Sequence, residues 1–177
     1  MRLVLASLIS LIVTATAAWA QGKGDAKGKG PGGRAGFNFG PFGQIMTEEL
    51  IPFIDANYRT LSDQSHRGMA GLSMGGMQTR QVTLANLDKF SHIGMFSGGS
   101  LAADTPQLQD AAGFKQKVKV LFVSYGSKEN TAAAKTNHEA LEQKGVPNTF
   151  YVSPDTAHEW QTWRRSLYQF APLLFRE

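Results

Sequence analysis

Residues 118–124 read VKVLFVS, and this run constrains the fold more than any other part of the chain. It is rich in valine, and near its end apolar residues occupy both faces. A strand with one wet face alternates polar and apolar residues, whereas a strand covered on both sides does not. The run therefore predicts a central strand of a parallel sheet, and such a strand needs neighbours and covering helices. The chain supplies both. "HRGMAGL" predicts a short buried strand leading into Ser73, "HIGMF" at 92–96 a second strand, and "NTFYV" at 148–152 a fourth. "GGMQTRQVTLANL" reads as a helix starting at its glycines. "TAAAKTNHEALEQK" is a helix of good formers ended by Gly145, with Pro147 beyond. Upstream, Ile45, Met46, Leu50, Ile54 and Tyr58 form a helical stripe weakened by Pro52. The last helix carries Trp160, Trp163, Leu167, Phe170 and Leu174 on one face, with Pro172 disturbing its final turn. The order from Ile45 is helix, strand, helix, strand, strand, helix, strand, helix. Strands alternating with helices imply an α/β fold of about four parallel strands with flanking helices and right-handed crossovers.

The 177 residues, 42% of them apolar, suffice for one globular domain with a core. "MRLVLASLISLIVTATAAWA" has one basic residue, an apolar run and a small-x-small ending, and predicts a signal peptide over 1–20 cleaved after Ala20. A membrane anchor is the competing reading, disfavoured because Thr14 and Thr16 dilute the run. The expected location is secreted or periplasmic. Residues 21–36, with Lys23, Lys27, Lys29 and Arg34 among many glycines, read as a flexible linker, leaving 37–177 as the domain. This tract is not a phosphate-binding loop, because the position five before Gly28 is Lys23 and no strand precedes it. The mild basic surplus, 18 Lys and Arg against 14 Asp and Glu, forms no stripe suited to nucleic acid. The absence of cysteine removes disulfides, thiol nucleophiles and thiolate metal sites.

"AGLSMGG", residues 70–76, places Ser73 where a strand ends and a helix begins. A serine there must adopt an unfavourable backbone conformation that lifts its hydroxyl above the sheet. The sharp turn brings the residues two before and two after it together, which predicts that Gly71 and Gly75 are required for lack of a Cβ. Gly76 is expected to let the helix approach the sheet. A lone serine is a poor nucleophile and needs a base, which in turn needs an orienting acid. Ligands collect at the carboxyl ends of parallel strands, so the partners should follow later strands. "YGSKEN" places Glu129 after the third strand and "SPDTAHEW" places His158 after the fourth. Ser73, Glu129, His158 is the nucleophile–acid–base order of this architecture. Asp104, after the second strand, is the rival acid. Asp155 lies too close to His158 in sequence to brace it. His66 and His92 fall at the wrong ends of their strands, and His138 is expected to face solvent from a helix. Trp160 offers core packing or a wall for an aromatic or sugar-bearing substrate; Trp163 reads as core. No set of His and carboxylates has metal-ligand spacing, and the chemistry needs no cofactor.

"LIPFIDANYRT…HRGMAGLSMGGMQT", "FSHIGMFSGG", "YGSKEN" and "SPDTAHEWQTWRRSLYQFAPLLF" resemble the esterase-D and feruloyl-esterase group of α/β-hydrolases, from about Phe37 to the C-terminus. The resemblance implies Ser73 as nucleophile, His158 as general base, and Glu129 in the place of the acid, often Asp. It implies that Met74 supplies one oxyanion-hole N–H. It further implies secreted enzymes that cleave acyl esters, feruloyl or acetyl, from plant polysaccharides or similar small esters. The group's sheet has about eight strands, so an incomplete hydrolase is expected here, lacking the half that supplies the second oxyanion donor. The nucleophile strand then becomes a sheet edge. An incomplete gene product, a homodimer through that edge, or residues 35–65 wrapping it are the expected arrangements. An inactive or binding-only remnant is the alternative to an esterase. No membrane or nucleic-acid partner is expected.

Overall fold

The computed structural model describes residues 39–176. The signal peptide over 1–20, its cleavage after Ala20, and the linker over 21–36 lie outside the described residues.

The described chain opens with one helical rod in three parts: α1 (Gly40–Gln44), a π-helical segment Ile45–Leu50, and α2 (Ile51–Asn57). Pro52 stands in the first turn of α2, where a missing N–H costs least. The wider π turn before it lets the rod continue where the sequence implied a weak point. The expected apolar stripe is only partly buried. Met46 is buried, but Ile45 and Tyr58 are exposed, because the rod packs chiefly on one neighbour, helix α3 (Met74–Ala85).

Four parallel strands follow: β1 (Gly68–Leu72), β2 (His92–Phe96), β3 (Val120–Gly126) and β4 (Thr149–Ser153), in spatial order β1-β2-β3-β4. Gly68 pairs with His92, His92 with Val120, and Phe122 with Thr149. β3 begins two residues later than VKVLFVS suggests, at Val120. β2 and β3 are the central strands, and β2 is buried along its whole length. β1 is half-buried rather than buried, because among the described residues it has a strand neighbour on one side only. Residues 40–57 form the helical rod beside that edge instead of a strand along it. Between rod and edge runs a groove lined by Met46, Leu50, Ile54, Met69 and Phe90. Arg67 at the start of β1 spans its end, donating to Asp55 of α2 at 2.7 Å.

Side chains of alternate residues point to opposite faces of the sheet. Ile93, Met95, Leu121 and Val123 form one core, covered by α4 (Ala111–Lys117) through Phe114 and by α5 (Ala132–Gln143) through Ala134 and Leu141. Phe96 and Phe122 form the other with Phe170 of α6 (Trp160–Phe170). The Phe170 ring lies 5.7 Å from Phe96 and 5.4 Å from Phe122.

Helix α4 has no counterpart in the sequence reading, which ran from β2 to β3 directly. It is short and holds Gly113, which weakens its periodic signal. Asp110 starts it by accepting the Gly113 N–H at 2.9 Å. α5 ends as expected at Gly145, where the Val146 N–H reaches back to the Leu141 carbonyl at 2.9 Å. His138 on α5 is only partly exposed. Its Nδ1 contacts Asn148 Oδ1 at 2.7 Å, and its ring packs near Phe150. α6 ends at Phe170, and Pro172 lies in the 3-10 turn that follows. Among the described residues no helix is long and apolar enough to cross a membrane.

Candidate active site

The carboxyl ends of β1, β3 and β4 carry the three residues that the sequence singled out. Ser73 follows β1 with φ 51° and ψ −121°, a conformation that side chains rarely adopt. Its N–H donates to the Phe96 carbonyl at 2.8 Å, which ties the turn to β2. Gly71 is required by contact: a Cβ there would strike the backbone carbonyl of Gly75. Gly76 is required in the same way, since a Cβ would come 2.7 Å from Gly98 Cα. Gly75 differs from expectation. A Cβ at that position meets nothing within 4 Å, because the residue faces the groove beside β1 and only its backbone enters the crowded turn. Met74 opens α3, so its N–H belongs to the first turn, whose donors have no intrahelical acceptor.

His158 lies between β4 and α6. Its Nε2 is 2.8 Å from Ser73 Oγ, and its Nδ1 is 2.8 Å from Glu129 Oε1. A carboxylate can only accept, so Nδ1 carries the proton and Nε2 presents its lone pair to the serine hydroxyl. The loop approaches this closely because β3 ends in Gly126, where a Cβ would sit 2.6 Å from the Ala157 carbonyl. Asp104, the rival acid, is exposed, and the carboxylate that reaches the imidazole is that of Glu129.

Glu129 is largely enclosed, with 11% of its side chain exposed against 49% for His158. Its Oε2 accepts the Gly126 N–H at 2.6 Å and the Ser97 hydroxyl at 2.7 Å. Burial pushes its pKa up. The hydrogen bonds from Gly126, His158 and Ser97 outweigh that and hold it below the usual carboxylate value. The carboxylate therefore stays charged at neutral pH, able to orient His158 and stabilise its cation.

Ser97 was missed by the sequence reading, although "FSGG" follows β2 at the same end of the sheet as Ser73. Trp163 is half-buried against the Phe170 core, as expected of it, and it also faces the site. Its Nε1 donates to Ser97 Oγ at 3.1 Å, and its ring stands edge-on to the His158 imidazole at 5.1 Å and 90°. Trp160 is not core: it is 65% exposed, with its ring 5.3 Å from that of Trp163. His92 is buried and binds the C-terminal segment, its Nε2 accepting the Phe175 N–H at 3.1 Å. His66 contacts Asp63 at 2.8 Å before β1. Among the described residues no cluster of His and carboxylates could hold a metal ion.

The arrangement can polarise a serine hydroxyl and accept its proton. Comparison with known proteins gives the family. An endo-1,4-beta-xylanase/feruloyl esterase of Xylanibacter ruminicola is 41% identical over 135 residues, covering 76% of this chain and 18% of that protein. A ferulic acid esterase structure superposes with a TM-score of 0.60 at 25% identity, over 74% of this chain and 60% of that one. A ferulic acid esterase from Anaeromyces mucronatus, in complex with ferulic acid, shares the fold with a TM-score of 0.58 at 16% identity, over 76% of this chain and 54% of that one. The chain thus spans less than two thirds of each of these relatives. These structures carry the α/β-hydrolase fold, of which four parallel strands with flanking helices are present here. The model of the family described as "Putative esterase" matches residues 15–174, and the chain belongs to that esterase family.

Proposed function

We propose that this protein is an exported serine esterase that hydrolyses carboxylic esters, in particular feruloyl or acetyl esters of plant polysaccharides. Ser73 Oγ attacks the acyl carbonyl carbon while its proton passes to His158 Nε2. The Met74 N–H donates to the oxyanion. Collapse of the tetrahedral intermediate breaks the acyl–alkoxy bond, and the His158 cation protonates the leaving alcohol. Water repeats the sequence on the acyl-Ser73 intermediate: His158 takes a water proton and returns it to Ser73 as the acid leaves. Glu129 holds the Nδ1–H tautomer and stabilises the imidazolium.

The observation that carries this reading is the pair of 2.8 Å contacts on opposite nitrogens of one imidazole. The feruloyl and polysaccharide classes are drawn from the relatives, one of which combines xylanase and feruloyl esterase names, and the acetyl class from the resemblance of the sequence motifs. Trp160, exposed beside the His158–Trp163 pair, suits a wall against an aromatic acyl group or a sugar. The edge of β1 that has no strand neighbour among the described residues suits pairing with a second copy, which sedimentation equilibrium would read as a dimer. The test of activity is hydrolysis of p-nitrophenyl acetate, methyl ferulate and feruloylated arabinoxylan by the purified chain. Turnover abolished by Ser73→Ala supports the reading. Ferulate binding without turnover of any ester would instead support a binding-only protein, a reading favoured by the edge position of β1.

A further inference from the structure

Ser97 follows β2 directly and adopts φ 49°, a left-handed conformation uncommon for a residue other than glycine. The segment is fixed on several sides. Ser97 N–H donates to the Ser124 carbonyl at 2.7 Å, and Gly99 N–H donates to the Tyr125 hydroxyl at 3.0 Å. The Ser97 side chain is buried and has two neighbours, Glu129 Oε2 and Trp163 Nε1. The direction of each bond follows from chemistry alone. An indole N–H only donates, so the Ser97 oxygen accepts from Trp163. A carboxylate only accepts, so the Ser97 proton points to Glu129. With Gly126 N–H on the same oxygen, Oε2 is occupied by two fixed donors and Oε1 is left to face His158. A glutamate has one more rotatable bond than an aspartate, and each freed rotor must be ordered before the carboxylate can orient the base.

We infer that Ser97 and Trp163 are positioning residues for the ester hydrolysis proposed above. They hold the Glu129 carboxylate in line with His158 and fix the polarity of a hydrogen-bond chain running from indole to nucleophile. The inference rests on the esterase reading, but part of its test does not require turnover.

Ser97→Gly is the most discriminating variant. Glycine accepts φ 49° without strain, so the change removes the hydroxyl and leaves the backbone at ease. Expected is a fall in kcat on p-nitrophenyl acetate of about tenfold, the equivalent of a hydrogen bond to a charged group, with KM unchanged. The Glu129 carboxyl, followed by carbon NMR, should titrate at higher pH than in the wild type, because a donor to its charged form has gone. Trp163→Phe keeps an aromatic ring on that face of α6 and removes the N–H together with one ring of the indole; it should lower kcat about threefold and move Glu129 in the same direction by less. Wild-type kcat together with an unmoved Glu129 titration in Ser97→Gly overturns the inference. If the wild-type chain hydrolyses no ester, the esterase reading fails by itself, and the Glu129 titration in the two variants still decides whether Ser97 and Trp163 set that carboxylate.

Discussion

Two groups of serine, histidine and carboxylate stand at opposite ends of β1. Before the strand, Asp63, Ser65 and His66 lie within hydrogen-bond reach of one another. After it, Ser73 meets His158, which meets Glu129. In the first group a single nitrogen, His66 Nδ1, faces both the serine hydroxyl at 3.1 Å and the carboxylate at 2.8 Å. The imidazole has no free lone pair between acid and serine, and Ser65 gives its own proton to Asp63. Hydrogen bonds from Ser65 and then His66 hold the Asp63 pKa at about 2. That carboxylate is committed to local structure, capping the 3-10 turn Gln64–His66 through the Ser65 N–H. In the second group the two ring nitrogens serve different partners, and the contacts join residues 85 and 29 positions apart. Residue types at short spacing make a turn. The same types brought together across a sheet, with opposed nitrogens, can move a proton.

The largest expected effect separates the two groups outright. His158→Ala should lower ester kcat/KM by about 10⁴-fold or more, and His66→Ala should leave it within about twofold, since surface changes away from a site act weakly. Steady-state kinetics on p-nitrophenyl acetate read both, and a comparable loss in His66→Ala would break the comparison. A second contrast lies inside the turn after β1. Gly71→Ala should destabilise the fold by more than about 3 kcal/mol, because the new methyl strikes backbone and not a movable side chain. Gly75→Ala should cost under about 1 kcal/mol. Urea denaturation of the two variants measures the difference.

A third prediction concerns pH at the amino end of the sheet. Burial, with the nearby charges of His66 and Lys119, lowers the His92 pKa from 6.5 to about 4. His92 is neutral in the folded chain, accepting from Phe175 N–H at Nε2 and contacting Ser91 Oγ at 2.7 Å through Nδ1. The unfolded chain takes up this proton near pH 6.5 and the folded chain only near pH 4. This contribution is therefore intact above pH 6.5 and is lost as pH falls toward 4, by about 3 kcal/mol in all. His92→Gln, which cannot titrate, should flatten the slope of stability against pH across that window; an unchanged slope would contradict the assignment. The smallest effect is expected at Ser65. Ser65→Ala should change stability by no more than about 1 kcal/mol, since its backbone N–H still satisfies Asp63. Its thermal melt should match that of the wild type within a few degrees.

The parts of this molecule that could be read from sequence are those where one local rule governs. Apolar runs marked all four strands, from the fully buried β2 to the part-buried β1 and β4. Good helix formers and Gly145 marked α5. Ser73, Glu129 and His158 were legible because each follows a strand at its carboxyl end, where chain order and sheet order agree. What stayed hidden depends on tertiary contact. Helix α4 is held by packing of Phe114 and a cap from Asp110 more than by its own periodicity. Ile45 and Tyr58 sit in an apolar pattern yet are exposed, since the pattern cannot say how much surface the rod finds to cover it. Gly75 matched a motif, but the steric load falls on Gly71 and Gly76. Ser97 and Trp163 are placed by the sequence, after β2 and on α6, but nothing local joins them to Glu129. Their roles appear only when the end of β2, the loop after β3 and the face of α6 are brought together.

The central claim is that the hydroxyl of Ser73, alone among the serines of the described residues, is activated. A fluorophosphonate probe incubated with the folded chain, followed by proteolysis and mass spectrometry, tests it directly. The account predicts a single modified peptide containing Ser73, lost in Ser73→Ala and in His158→Ala and retained in Ser65→Ala. Label on the Ser65 peptide, or label that persists in Ser73→Ala, would contradict it.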